Sequence, residues 1–273
     1  MNRQRLLRPT GAVALVAYCL APFAWMVISS LRRPADQFSN SPIPSPASLE
    51  NYRAAFDPSN GFAKALLNSV VVAGITTIAV LVMAVLTSYA IARLEFRFKG
   101  LILATIIGTA MFPGITILVP MLEAFISVGW INTYQAMILP TISFTLPLAI
   151  WTLTAFFRQM PMELEKAAQV DGCGPFQAFY RIILPLAAPG VFTTAILTFI
   201  AAWNEFMIAA SVVNRKDNMT ANVILSLFTG QYGFDQPFGT QMAAGTVLTL
   251  PLVVLVLICQ RRIVDGLTAG GVK

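Results

Sequence analysis

Charged side chains in this sequence are gathered into short clusters, and long uncharged stretches lie between them at 9–31, 65–92, 100–122, 124–157, 182–204 and 236–260. A helix needs about 20 apolar residues to cross the hydrocarbon core, so each stretch is long enough for a span. The fourth is too long for one. Its polar start, through Gly129, Asn132 and Gln135, reads as an external loop with a short interfacial helix. The segment before the fifth ends in Pro185 and Pro189, so that span is predicted to begin near Pro189 and to run past Glu205 to about 213. The pattern predicts an all-α polytopic membrane protein with six helices at 11–31, 67–92, 101–122, 136–157, 189–213 and 241–260.

Proline and glycine fall inside several predicted spans: Phe112-Pro113-Gly114 and Pro120 in the third, Pro140 and Pro147 in the fourth, Pro251 in the sixth. A proline frees a carbonyl that lipid cannot satisfy, so a helix broken there must face protein or a water-filled cavity. Transporters place substrates at such breaks, although an ordinary kink is the simpler reading of any single proline.

Composition supports the membrane reading. Hydrophobic residues make up 57% of the 273, charged residues 11%, and mean hydropathy is +0.73. Soluble domains carry about 25% charged residues, which sets an ordinary soluble enzyme aside, and so apolar a chain is not disordered. There is no histidine, which removes histidine triads, relays and metal sites. Cys19, Cys173 and Cys259 stand far apart and read as packing residues.

The net charge of +6 is a topology signal and calls for no nucleic-acid partner. With residues 1–10 inside, the outer segments hold six basic residues: Arg32, Arg33, Arg53, Lys64, Arg215 and Lys216. The inner segments hold twelve, including Arg3, Arg93, Arg97, Arg158, Arg181 and Arg261. Both termini are therefore expected in the cytoplasm. The first run is about twice as long as a signal-peptide core, and Tyr18 is too bulky for a lipid-attachment site at Cys19, so an uncleaved first span is expected. The basic turn from Arg93 to Lys99 reads as an anchor at the membrane interface.

The inner loop, 158–188, carries the most information. Pro161 suits a first helical turn, Glu163 and Glu165 suit its positive end, and Gly172 with Gly174 supplies a left-handed stop before Pro175 opens a second helix. On the first helix Leu164, Ala167, Ala168 and Asp171 share a face. The small residues there suit a knob on which another protein's backbone can rest. On the second helix Phe176, Phe179, Tyr180 and Ile183 are expected to pack together under the membrane domain.

These residues resemble a known signature. ABC importer permeases carry Glu-Ala-Ala, three residues, Gly, nine residues, Ile, one residue, Leu-Pro. Here stand Lys166-Ala167-Ala168, Gly172, then Ile182 and Leu184-Pro185, with Lys166 in place of the acid and Glu165 just before it. The run Phe199 to Phe206, containing Trp203-Asn204-Glu205, resembles the fifth span of maltose-type sugar permeases. The end from Gln260 to Lys273 is similar to the tail of the shorter permease of those systems. The resemblance covers nearly the whole chain, least over the first 50 residues, and extends to actinobacterial permeases for disaccharides such as trehalose.

The resemblance implies a type I ABC importer permease in a bacterial cell membrane and an assembly of five chains. A second permease completes the pathway, two ATP-binding subunits hold ATP and Mg, and an external sugar-binding lipoprotein delivers the sugar. Glu165, Lys166, Ala167, Ala168, Asp171 and Gly172 would couple to the ATPase, and the tail residues Gly266, Thr268 and Gly270 would touch it. The outer loop at 214–238 would face the binding protein. With no G-x-x-x-x-G-K-[ST] motif in this chain, ATP chemistry is expected in a partner and no cofactor in this polypeptide.

Glu205 is the lone acid inside a predicted span and a functional candidate for that reason. With Trp203 and Asn204 it offers the hydrogen bonds and aromatic face that sugars use, or a structural pairing with the partner permease. Phe112, Met111, Tyr134 and Gln135 are candidates for the pathway lining, against simple packing. The alternatives are an ion-coupled secondary transporter using Glu205, an intramembrane hydrolase without an evident base, and a membrane scaffold without turnover.

Overall fold

The computed structural model describes residues 3–37, 39, 41, 43–228 and 237–269, with side chains from 11 to 260 within those ranges. The described residues are helical, with no strand among them. The helices are α1 Arg3–Ser30, α2 Glu50–Ala55, α3 Phe62–Arg93, α4 Lys99–Ala110, α5 Gly114–Ser127 and α6 Tyr134–Gln159. They continue as α7 Glu163–Val170, α8 Pro175–Leu186 with a π-helical stretch at Phe179–Ile183, α9 Ala188–Trp203, α10 Met207–Val212, α11 Ala221–Ser226 and α12 Phe238–Ala269.

Four segments are long and apolar enough to cross a bilayer unbroken: Gly11–Ser30, Phe62–Arg93, Tyr134–Gln159 and Phe238–Gln260. Two further candidates are bent pairs, α4 with α5 at 86° and α8 with α9 at 69°. The chain is thus a multi-pass membrane protein.

The α4–α5 break falls at Phe112-Pro113, because Pro113 has no N–H to donate and disfavours helical geometry at the residue before it. At about 1.5 Å per residue, neither 12-residue α4 nor 14-residue α5 reaches across a membrane of about 30 Å alone. The other prolines do not break their helices, in keeping with the simpler reading of each. Pro120, Pro140, Pro147 and Pro251 lie inside continuous helices, and around Pro140 the hydroxyls of Thr141 and Thr145 donate to the carbonyls of Met137 and Thr141.

The fifth span differs from the continuous helix expected through Glu205. It stops at Trp203, and α10 starts afresh at Met207. The Asn204 side chain turns back to donate to the carbonyl of Ile200 (2.9 Å), while Glu205 caps the new helix.

The chain forms two compact units, 1–66 with 220–252 and 67–219 with 253–273. In the first, buried Asn51 donates to the carbonyls of Ser30 (3.0 Å) and Arg32 (2.6 Å), and Phe62 packs edge-on to Phe56 and Phe228. In the second, the core joins the later half of α3 (Val80, Ala84, Ile91) to the later half of α6 (Ile150, Leu153, Phe157) and to Phe179, Ile183 and Ala187. Ser88 ties α3 to α6 through the carbonyl of Ile150 (2.9 Å). A Cβ added at Gly190 would lie 2.6 Å from Phe156 Cγ, so only glycine lets α9 approach α6 there.

Candidate functional site

Two places bring the sequence-marked residues together: the helical knob at α7 and a cavity at the helix breaks.

α7 ends in a Schellman turn. Gly172 takes φ +87°, its N–H reaches the carbonyl of Gln169 (3.1 Å), and the N–H of Cys173 reaches that of Ala168 (2.9 Å). An L side chain is strained at that φ, which is why glycine stands there. The next helix is opened by Gly174, whose N–H donates to Gln177 Oε1 (3.1 Å).

The knob is rolled relative to the expected face. Leu164 and Ala168 turn into the core, while Lys166, Ala167, Val170, Asp171 and Gly172 face outward, Val170 being 87% exposed. The buried stripe of α8 is rotated too. Ala178, Phe179 and Ile183 are buried, whereas Phe176 and Tyr180, expected beside Phe179, stand exposed at 72% and 41%.

An ion pair that the sequence reading missed lies on the same inward face. Arg93, at the last residue of α3, is buried rather than anchored at an interface, and its Nε lies 3.2 Å from Glu165 Oε1. Its Nη1 donates to Met162 Sδ (2.7 Å), just before α7. Tyr89, one turn earlier on α3, hydrogen-bonds Glu165 and packs its ring on Phe179 (4.5 Å) and Phe157 (5.9 Å). Glu165 is therefore turned inward and withheld from the outward face, where Lys166 stands instead. A cation at the end of a long apolar run was the available signal.

The second place is a cavity of about 360 Å³ between α5, α6, α9 and α10, lined by residues including Gly114, Ile117, Thr141, Phe144, Thr145 and Glu205. Glu205 reaches it from the α9–α10 break. Its Oε1 accepts from the N–H of Ile208 (2.7 Å) and its Oε2 from that of Ala209 (3.0 Å), so the carboxylate caps α10. Phe144 also borders two adjoining cavities, one reaching Thr109 and Ser143 and one running along Thr152, Thr194 and Thr198. Of the other candidates, Trp203 is buried and stacked on Phe199 (5.6 Å), Asn204 is exposed, and Phe112 is exposed in the α4–α5 break. None of these three belongs to the cavity lining.

A polar clamp fixes the chain that follows α10. Asn132, at φ +63°, accepts at Oδ1 from the N–H groups of Asn214 and Arg215 (2.8 Å each). Asn68 donates to the carbonyls of Asp217 (2.9 Å) and Met219 (2.8 Å), while Tyr134 donates to Asn68 Oδ1 (2.7 Å), which places Tyr134 in this clamp and not in the cavity. Gly266 and Thr268 lie on the α12 backbone beyond the described side chains, Gly270 is outside the described residues, and so is 229–236 of the expected outer contact loop.

Comparison with known proteins assigns this architecture. The family described as "Binding-protein-dependent transport system inner membrane component" matches residues 81–268. The chain is 44% identical over 259 residues to the trehalose transport system permease protein SugB of Mycobacterium tuberculosis, covering 95% of this chain and 94% of that one. It is 38% identical over 271 residues to the trehalose/maltose transport system permease protein MalG of Thermococcus litoralis, covering 99% and 97%. A chain from the crystal structure of a bacterial ABC transporter that imports the acidic polysaccharide alginate shares the fold, with TM-score 0.79 and 17% identity over 96% of this chain and 98% of that one. With two helical breaks meeting at a cavity and a signature loop turned out on a braced knob, the chain belongs to the inner membrane components of binding-protein-dependent transport systems, the permeases of ABC importers.

Proposed function

We propose that this chain forms half of the membrane pathway of an ATP-driven importer for a sugar of the disaccharide class. The relatives named for trehalose and maltose transport support the substrate class. A second permease completes the pathway, and an external sugar-binding protein delivers the substrate to it. Two ATP-binding subunits bind ATP and Mg beneath the membrane, on the same side as both termini and the 158–188 loop, an orientation that the excess of Lys and Arg in those segments supports.

The observation that carries the reading is the exposed α7 knob. Small Ala167 and side-chain-free Gly172 permit a close backbone approach, flanked by Lys166 and Asp171. Leu164, Ala168 and the Arg93–Glu165 pair root it in the core. Such a knob receives a push from a docked ATPase and delivers it to the spans that line the cavity. The ion-coupled alternative needs Glu205 as a free titrating group, whereas its carboxylate oxygens are engaged by the amides of Ile208 and Ala209.

The test is reconstitution of the full assembly in proteoliposomes, with ATP hydrolysis and sugar uptake measured across a panel of disaccharides. ATP-dependent uptake that survives collapse of the proton gradient is expected. Uptake lost on collapse of the gradient at constant ATP would refute the proposal.

A further inference from the structure

The Arg93–Glu165 pair has an energetic oddity. Both side chains are nearly inaccessible, at 2% and 12%, yet the 3.2 Å contact is an ion contact without hydrogen-bond alignment. Arg93 Nη2 and Glu165 Oε1 are buried with no hydrogen-bond partner among the described residues. Tyr89 hydrogen-bonds Glu165 and Met162 Sδ accepts from Arg93 Nη1, so the pair is only partly supported. Burying two charges repays its desolvation only when geometry and hydrogen bonds are good, so a partly supported buried pair is weak evidence for a role in stability alone. Its placement is better explained by position: it joins the last residue of a 32-residue helix to the middle of an eight-residue knob that touches solvent on its other face. Met162 and Tyr89 flank the same junction.

We propose that Arg93 and Glu165 are a positioning pair that transmits displacement of α7 into α3. A packed apolar contact alone resists compression but lets a knob slide or pull away. A buried ion pair also resists separation, because parting the charges leaves each of them unpaired in a dry site. Movement of α7 in either direction is thereby passed to the end of α3, which shares the core with α6 and, through α6, with the cavity. The inference rests on the importer reading above and adds to it the residues through which its coupling runs.

The test uses the complete reconstituted assembly and reads ATP hydrolysed per sugar imported, a ratio that loss of folded protein leaves unchanged. Three variants are compared: Arg93→Gln, Glu165→Gln and the double Arg93→Gln/Glu165→Gln, which removes both charges and strands neither. With the ATP-binding subunits still co-purifying, the ratio is expected to rise about tenfold or more in all three, the size of an ordinary coupling energy between sites. An unchanged ratio in any assembled variant overturns the inference, whether uptake and hydrolysis stay at wild-type levels or fall together. Failure of all three to retain the ATP-binding subunits overturns it as well, by making the pair a structural support. A wild-type assembly without sugar-dependent hydrolysis would fail the importer reading itself, and this inference with it.

Discussion

Replacing Glu205 tests whether its carboxylate is a helix cap. Both of its oxygens are engaged, by the N–H groups of Ile208 at 2.7 Å and Ala209 at 3.0 Å. A hydrogen bond to a charged acceptor contributes about 1.5–3 kcal/mol, so Glu205→Ala removes about 3 kcal/mol from the local stability of α10, taking the low end for each bond. Glu205→Gln keeps one acceptor oxygen and turns an amide N–H towards the other donor, so it should lose about half of that. Hydrogen exchange at the amides of residues 208 and 209 reads the effect directly. Local opening that costs about 3 kcal/mol less exposes an amide about a hundredfold more often. The expected order of exchange is Ala fastest, Gln intermediate and Glu slowest, with α6 amides unaffected. Equal exchange in Glu205→Ala and wild type would refute the capping role and return Glu205 to the pathway as a free side chain.

Three further substitutions test other parts of the structure. Gly172→Trp meets open space but forces a side chain onto a left-handed residue at a cost of about 1–2 kcal/mol; membrane levels should hold while co-purification of the ATP-binding subunit falls. For Gly190→Val, whose Cβ would sit 2.6 Å from Phe156 Cγ, overpacking should cost about 1–3 kcal/mol, read as a lowered Tm of the detergent-solubilised assembly. Asn132→Gly should be less destabilising than Asn132→Ala by about 1 kcal/mol, read as a smaller fall in that Tm, because glycine keeps the φ of +63° without strain while both lose the acceptor for Asn214 and Arg215.

The helical class and the α4–α5 break at Phe112-Pro113 were legible because each follows from local composition and one residue's missing N–H. The knob was legible in outline, since Gly172 as a left-handed stop is a local requirement. Its roll was not. The inward face of this eight-residue helix carries Leu164, Ala168 and the contact of Glu165 with Arg93, about 70 residues earlier in the chain, and no periodicity within the loop encodes a partner so distant. The same holds for α8, where Phe176 and Tyr180 fit the apolar period but lie outside the stripe that Tyr89 and Phe157 select. Glu205 was found as the lone acid in a span, but its role as a cap required the break at Asn204, which an unbroken apolar run concealed. Trp203, marked for its aromatic face, is committed to packing on Phe199.

Contact between the α7 knob and the ATP-binding subunit is the point on which the functional account turns. Val170 is 87% exposed on that knob, so a photoreactive amino acid placed there reports what touches it. Illumination of the intact assembly is expected to link residue 170 covalently to the ATP-binding subunit. A link to the external binding protein, or to no other chain, would contradict the coupling role.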